Sequence, residues 1–236
     1  MNKLLTPSEY FMFVERFDHY FPQGIEFHSI LQQFEFKLEE IVVFHQFVLN
    51  TFKYNESAIS ERYEKFNILD EEQKSKLTEE ESESYHYWFM RHMENINHYD
   101  SLNKAAAYVA NDSVVINIWA MIEQFMSKGL ACLISKKEGI ELSEVNIPYR
   151  WDKIRSKFLL YNIEFSSLPS FNEINECRVL NNKIKHLNIV DAELESYPSF
   201  SGKLGKSLTG MQYPLQNYVL ASHHFIGMLL EESSKQ

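Results

Sequence analysis

The chain has 236 residues, 44% of them hydrophobic and 14% aromatic, with a formal net charge of −10. That is enough apolar material for a sizeable core, and the absence of any global excess of positive charge excludes avid, nonspecific binding to nucleic acid. Seven glycines and six prolines leave regular structure dominant, and two cysteines exclude a disulfide framework.

The charge is uneven. Residues 1–140 hold 13 Lys/Arg against 22 Asp/Glu, whereas residues 141–236 hold 10 against 11. Helical periods occur almost throughout and period-two alternation is scarce, which predicts an all-α fold. The expected architecture is an up-and-down helical bundle in a single domain spanning residues 1–236, with a long second helix and extra N-terminal helices. The first ten residues, MNKLLTPSEY, hold no apolar run of signal-peptide length. The most apolar stretch, residues 114–122, is far shorter than the roughly 20 residues a bilayer requires. The expectation is a cytoplasmic chain with no membrane span, in which Cys132 and Cys177 are reduced, packed thiols.

In chain order, Thr6, Pro7 and Glu9 give a capping signal for a first helix that ends near Phe21, because Pro22 and Gly24 follow. The second helix is expected over residues 25–55. Phe27, Leu31, Phe34, Leu38, Ile41, His45, Val48 and Phe52 recur at steps of four and three, a heptad seam with one polar member. The seam predicts core or helix pairing, with His45 as a hydrogen-bonded interior histidine. Residues 57–67 read as a short helix, and the acidic run over residues 68–83 as a solvated helix start or a mobile excursion. Thr78 followed by Glu79, Glu80 and Glu81 marks another helix start. That helix is expected to reach about Tyr99 and to continue or restart over residues 101–110, with Asn111, Asp112 and Ser113 placed to break and cap it. The most apolar helix then spans residues 114–136, closed by Lys136, Lys137 and Gly139. A basic amphipathic helix is expected over residues 148–161, with Trp151, Ile154, Phe158 and Tyr161 inward. Residues 189–210 read as a loop, and residues 214–231 as the last helix.

The stretch FNEINECRVLNNKIKHLN, residues 171–188, reads as one amphipathic helix. Phe171, Ile174, Cys177, Leu180, Ile184 and Leu187 form its apolar face, and Arg178, Asn182 and His186 climb beside them at steps of four. Other chemistries find little support. His86, His92 and His98 stand six residues apart and so point to different sides of a helix, which argues against a metal site. His223 and His224 are adjacent and diverge. Residues 202–207, GKLGKS, end like a phosphate loop, but the first glycine stands too close and no strand precedes it. No cofactor or metal is expected.

The Trp-bearing basic helix, the short link and the helix carrying Glu176, Arg178, Asn182, Lys185 and His186 together resemble the HEPN superfamily over residues 148–188, with the motif helix at 169–188. The resemblance implies a helical-bundle protein, often a homodimer, of the kind found in toxin–antitoxin, phage-defence and RNA-processing systems. Active family members are metal-independent endoribonucleases in which four to six residues lie between an arginine and a histidine. Seven residues separate Arg178 from His186 here, and the family's arginine slot relative to Asn182 falls on Asn181. The resemblance implies catalysis of RNA cleavage by Arg178, Asn182 and His186, with Asn181 and Lys185 binding substrate. Arg91 and His98, with six residues between them, form a rival pair. The competing expectation is a non-catalytic helical interaction protein: a degenerate HEPN domain, an antitoxin-like partner of another protein, or an assembly subunit.

Overall fold

A computed structural model describes residues 19–65 and 68–236. The helix expected from Thr6 lies outside the described residues except at its end, where residues 19–22 have no regular structure. The described chain is an all-α bundle. Its helices are α1 (Ile25–Lys65), α2 (Glu71–Ser75), α3 (Glu79–Glu138), α4 (Trp151–Leu159), α5 (Phe171–His186), α6 (Ala192–Glu195) and α7 (Leu215–Lys235). The chain divides into two compact units: one holds the residues up to His45 together with Asn111–Gln236, and the other is Gln46–Ala110.

The first unit contains most of the core. The seam of α1 faces inward over its first part: Phe27, Leu31, Phe34 and Leu38 are buried. It meets the buried face of α3, formed by Val115, Ile118, Ile122, Phe125 and Leu133, with Phe34 and Phe125 edge to face at 5.3 Å. Trp119 of α3, Trp151 of α4 and Phe165 follow one another at 5.2 and 5.3 Å, and Phe225 of α7 stands 5.3 Å edge-on to Phe165. This run of rings ties α3, α4 and α7 together beside α5, which packs on α7. As expected, Ile154 and Phe158 of α4 are buried, with Trp151 and Tyr161 half-buried.

Three boundaries differ from the sequence expectation. First, α1 runs to Lys65 without the break expected near Asn55, and the part of the expected short helix at residues 66–67 lies outside the described residues. Second, the acidic run holds a short helix of its own, α2, separate from α3 and opened by a reciprocal capping box between Asp70 and Gln73. Third, α3 is continuous for 60 residues, through Asn111, Asp112 and Ser113. Asn111 and Asp112 do not turn back to cap the backbone. Their side chains bond outward instead, Asn111 Oδ1 to the His45 ring at 2.9 Å and Asp112 Oδ1 to the Tyr213 hydroxyl at 2.8 Å. The start at Thr78 is as expected: Glu81 accepts from its backbone at 2.8 Å, and Thr78 Oγ1 accepts from the Glu81 backbone at 3.3 Å. Gly139 ends α3 with φ +67°, a left-handed conformation that glycine adopts at little cost.

By length and composition α3 holds an 18-residue window apolar enough to cross a membrane, with 44% of that window buried inside the protein. The loop after α5 carries α6, a 3₁₀ turn at Pro198–Phe200 and an isolated antiparallel bridge from Ile189 to Ser207.

Candidate functional site

The helix α5 positions every residue singled out by the motif. Its inner face is set by Ile174, Cys177, Val179 and Leu180, all essentially inaccessible. Asn181 follows Cys177 by four residues and Ile174 by seven, so the same period carries it inside, where it is 2% exposed. Its Nδ2 donates to Asn182 Oδ1 at 3.2 Å, and its own Oδ1 has no hydrogen-bond partner. Asn181 is therefore buried and touches the exposed polar end of the helix only through Asn182, whereas Asn182, Lys185 and His186 are exposed.

Arg178 occupies a different setting. Its Nε donates to Asn175 Oδ1 at 2.9 Å, and its guanidinium lies 3.6 Å from Glu193 of α6. Asn175 in turn donates to the Tyr197 hydroxyl at 2.6 Å. Burial is the main reason that Tyr197 titrates above its ordinary range; Arg178 opposes that shift, while Glu193 and Glu176 add to it. Lys183, 12% exposed at its side chain, binds Asp191 at 2.7 Å and Glu193 at 2.9 Å. Glu193 thus joins Arg178 to Lys183 and pins α6 against α5. Arg178 precedes His186 by eight residues, about 12 Å along the axis. Within one chain the arginine is part of a network that holds the fold, and the imidazole stands free of that network at the helix end.

The backbone beyond His186 is firmly placed. Asn188 adopts φ +52°, and its amide donates to the Lys183 carbonyl at 2.7 Å. Its side chain donates to Thr209 Oγ1 at 2.9 Å, and its carbonyl accepts from Leu208 at 3.0 Å. Toward α3, Lys185 contributes to the electrostatics of Glu123, whose carboxyl burial raises above its usual range against the opposing effects of Trp119 and Lys185.

The other candidates separate from this end of α5. Arg91 and His98 are exposed on α3 in the second unit. Among the described residues no group of three or more His, Cys, Asp or Glu side chains could hold a metal ion. The ammonium of Lys203 donates to the Ser199 carbonyl at 2.7 Å, within its own loop. His223 is fully buried, with Nε2 3.0 Å from Glu35 Oε1.

Sequence reasoning named Glu176 only as part of the motif pattern and missed Asn175, Lys183, Asp191 and Glu193. Asn175 was recoverable from its spacing to Arg178, and Asp191 from its position as a helix cap, where it accepts from the Leu194 amide at 3.0 Å. In comparisons with known proteins, no family model, curated protein or solved structure matches the chain.

Proposed function

We propose that the chain is a HEPN-like protein that cleaves RNA without a metal ion, as a toxin or defence effector, with His186 at the reacting phosphate. The observation that carries this reading is the exposed polar end of α5, where Asn182, Lys185 and His186 face solvent on a helix whose other side is core. Histidine is the residue type whose ordinary titration lies nearest neutral pH, which suits it to proton transfer. An RNA 2′-hydroxyl attacks the adjacent phosphorus, a base takes its proton, and the P–O5′ bond breaks as an acid protonates the leaving oxygen. The products are a 2′,3′-cyclic phosphate and a 5′-hydroxyl. One α5 carries one histidine, so a homodimer supplies the second acid/base. Lys185 offsets charge on the phosphorane and Asn182 orients the imidazole, while Arg178 holds α6.

The test is cleavage of single-stranded RNA by the purified chain in EDTA, scored for 2′,3′-cyclic ends. His186→Ala is expected to slow cleavage by at least about 100-fold. Unchanged cleavage in that variant removes this site.

A second reading, a non-catalytic helical interaction protein, is favoured by one observation: the motif arginine is engaged with Asn175 and Glu193. It predicts a stable complex with a partner protein and no cleavage at any concentration of the chain.

A further inference from the structure

Residues 202–207, GKLGKS, repeat one small device: a glycine followed at once by a lysine whose amide donates three residues back. The Lys203 amide donates to the Phe200 carbonyl at 3.1 Å, and the Lys206 amide to the Lys203 carbonyl at 3.0 Å. Gly205 has φ +75°, and a Cβ built on it would meet no atom within 4 Å, so the glycine answers to the backbone and not to crowding. The two lysine side chains differ. The Lys203 ammonium is bound to the Ser199 carbonyl at 2.7 Å and lies 5.5 Å over the Phe200 ring. Lys206 is exposed, and among the described residues its ammonium has no hydrogen-bond or ion-pair partner.

The chain that leaves α5 holds this loop in place. The Val190 amide donates to the Lys206 carbonyl at 2.9 Å, the Gly205 amide to the Val190 carbonyl at 2.8 Å, and the Leu208 amide to the Asn188 carbonyl at 3.0 Å. These bonds frame the bridge between Ile189 and Ser207. Val190 and Leu208 are buried, which fixes the register of the pairing. Val190 follows His186 by four residues, so at most about 14 Å of chain separates the imidazole's own residue from the one that holds Lys206. Charge at this end departs from the acidic balance of the whole chain. Residues 185–210 hold three lysines and three acids. Two of those acids, Asp191 and Glu193, are already bound by Lys183 and Arg178 of α5, which leaves Glu195 against Lys185, Lys203 and Lys206.

We propose that Lys206 binds an RNA phosphate adjacent to the one at His186, so that residues 202–207 and the end of α5 together hold a single strand. The inference rests on the reading of His186 as the group that meets RNA. A strand that places one phosphodiester at the imidazole carries its neighbouring phosphates along the same surface. Lys206 is an unpaired cation held there by backbone hydrogen bonds, and Lys185 is a second exposed one on α5. An ammonium is a point charge on a flexible stem, which suits a mobile single-stranded backbone better than it suits one fixed geometry. A phosphate contact of this kind positions the strand and reads no sequence.

The test uses the full chain and a labelled single-stranded RNA oligonucleotide. Binding is read by fluorescence anisotropy in the His186→Ala background, where the strand stays intact. Lys206→Ala is expected to weaken binding about 3- to 5-fold, the scale of one exposed charge pair. It should also make the fall of log affinity with log salt shallower by about 0.7, the share of one phosphate on a single strand. Lys206→Arg is expected to keep both values. Lys137→Ala is the control: it removes an exposed charge 14 residues past Glu123 on α3, about 21 Å along the helix, and leaves both values unchanged. With His186 intact, Lys206→Ala is expected to lower kcat/KM on the oligonucleotide by the same factor and to leave cleavage of a dinucleoside monophosphate unaltered, because that substrate has no second phosphate. Unchanged affinity and salt slope in Lys206→Ala, an equal loss in Lys137→Ala, or no RNA binding at all overturns the proposal. Failure of the cleavage reading looks different: the wild type then binds RNA through Lys206 and leaves it uncut, which keeps this site and removes the chemistry at His186.

Discussion

The Tyr218 hydroxyl of α7 donates a 2.7 Å hydrogen bond to Glu176 Oε1 of α5, with the carboxylate 6% and the tyrosine 1% exposed. Burial, reinforced by Glu176, pushes the phenol far above its ordinary range, so it remains a donor at any physiological pH. Tyr218→Phe removes that donor and leaves a buried carboxylate short of a partner. The expected loss of stability is about 1–3 kcal/mol, read as a lowered urea midpoint. Adding Glu176→Gln, which removes the charge that the hydroxyl served, is expected to recover part of the loss. An additive result for the double variant would separate the two residues.

Lys183 anchors α6 through Asp191 and Glu193. Lys183→Met should cost about 1 kcal/mol, a modest figure because both carboxylates are partly exposed. The hydrogen bond from Lys183 is the main reason that the Asp191 carboxyl titrates below its usual range. This pair therefore contributes stability above the ordinary carboxylate value, and the contribution is lost as pH falls through the lower folded value. Acid unfolding of Lys183→Met is expected to lack that component, which a comparison of urea midpoints across the acidic range will show.

His45 adds a second decline of stability on acidification, this one set by its imidazole. Burial holds it below its ordinary value, against a weaker upward pull from its hydrogen bond with Asn111. As pH falls from about 6.5, the unfolded chain takes up the proton before the folded one does. Stability is therefore expected to decline from that value down to the lower folded one. His45→Gln, which keeps an amide against Asn111, should flatten the decline. An identical pH profile for the two proteins would remove His45 as its source.

Gly227 of α7 lies against Tyr20. A Cβ there would stand 2.6 Å from both Cγ and Cε2 of that ring, and a ring cannot yield as a flexible chain end can. Gly227→Ala is expected to destabilise by about 1–3 kcal/mol. In a Tyr20→Ala background the same change should become favourable by up to about 1 kcal/mol, the helix preference of alanine over glycine. Chemical unfolding of the four proteins in a double-mutant cycle measures the coupling.

Where local rules govern, the sequence was readable. The step pattern of α1 places Phe34 and Leu38 inside, and Thr78 with Glu81 fixes the start of α3. Asn111 and Asp112 mislead because capping residues and tertiary hydrogen-bonding residues are the same types. Their partners, His45 and Tyr213, lie 66 and 101 positions away. Arg178 reads as catalytic by spacing, yet its carboxylate partner comes from α6, in a stretch with no marked period. Asn181 is the reverse case: the period of α5 already assigned it to the interior, and the motif alignment drew it out.

One consequence concerns Cys177, buried on α5 with a thiol that burial pushes well above its ordinary range. A thiolate-seeking reagent reaches it only when α5 lifts from α7, whereas Cys132 is half-exposed. The slower phase of alkylation is thus a built-in clock for the opening of the very helix that presents His186, readable by mass spectrometry on the unaltered chain.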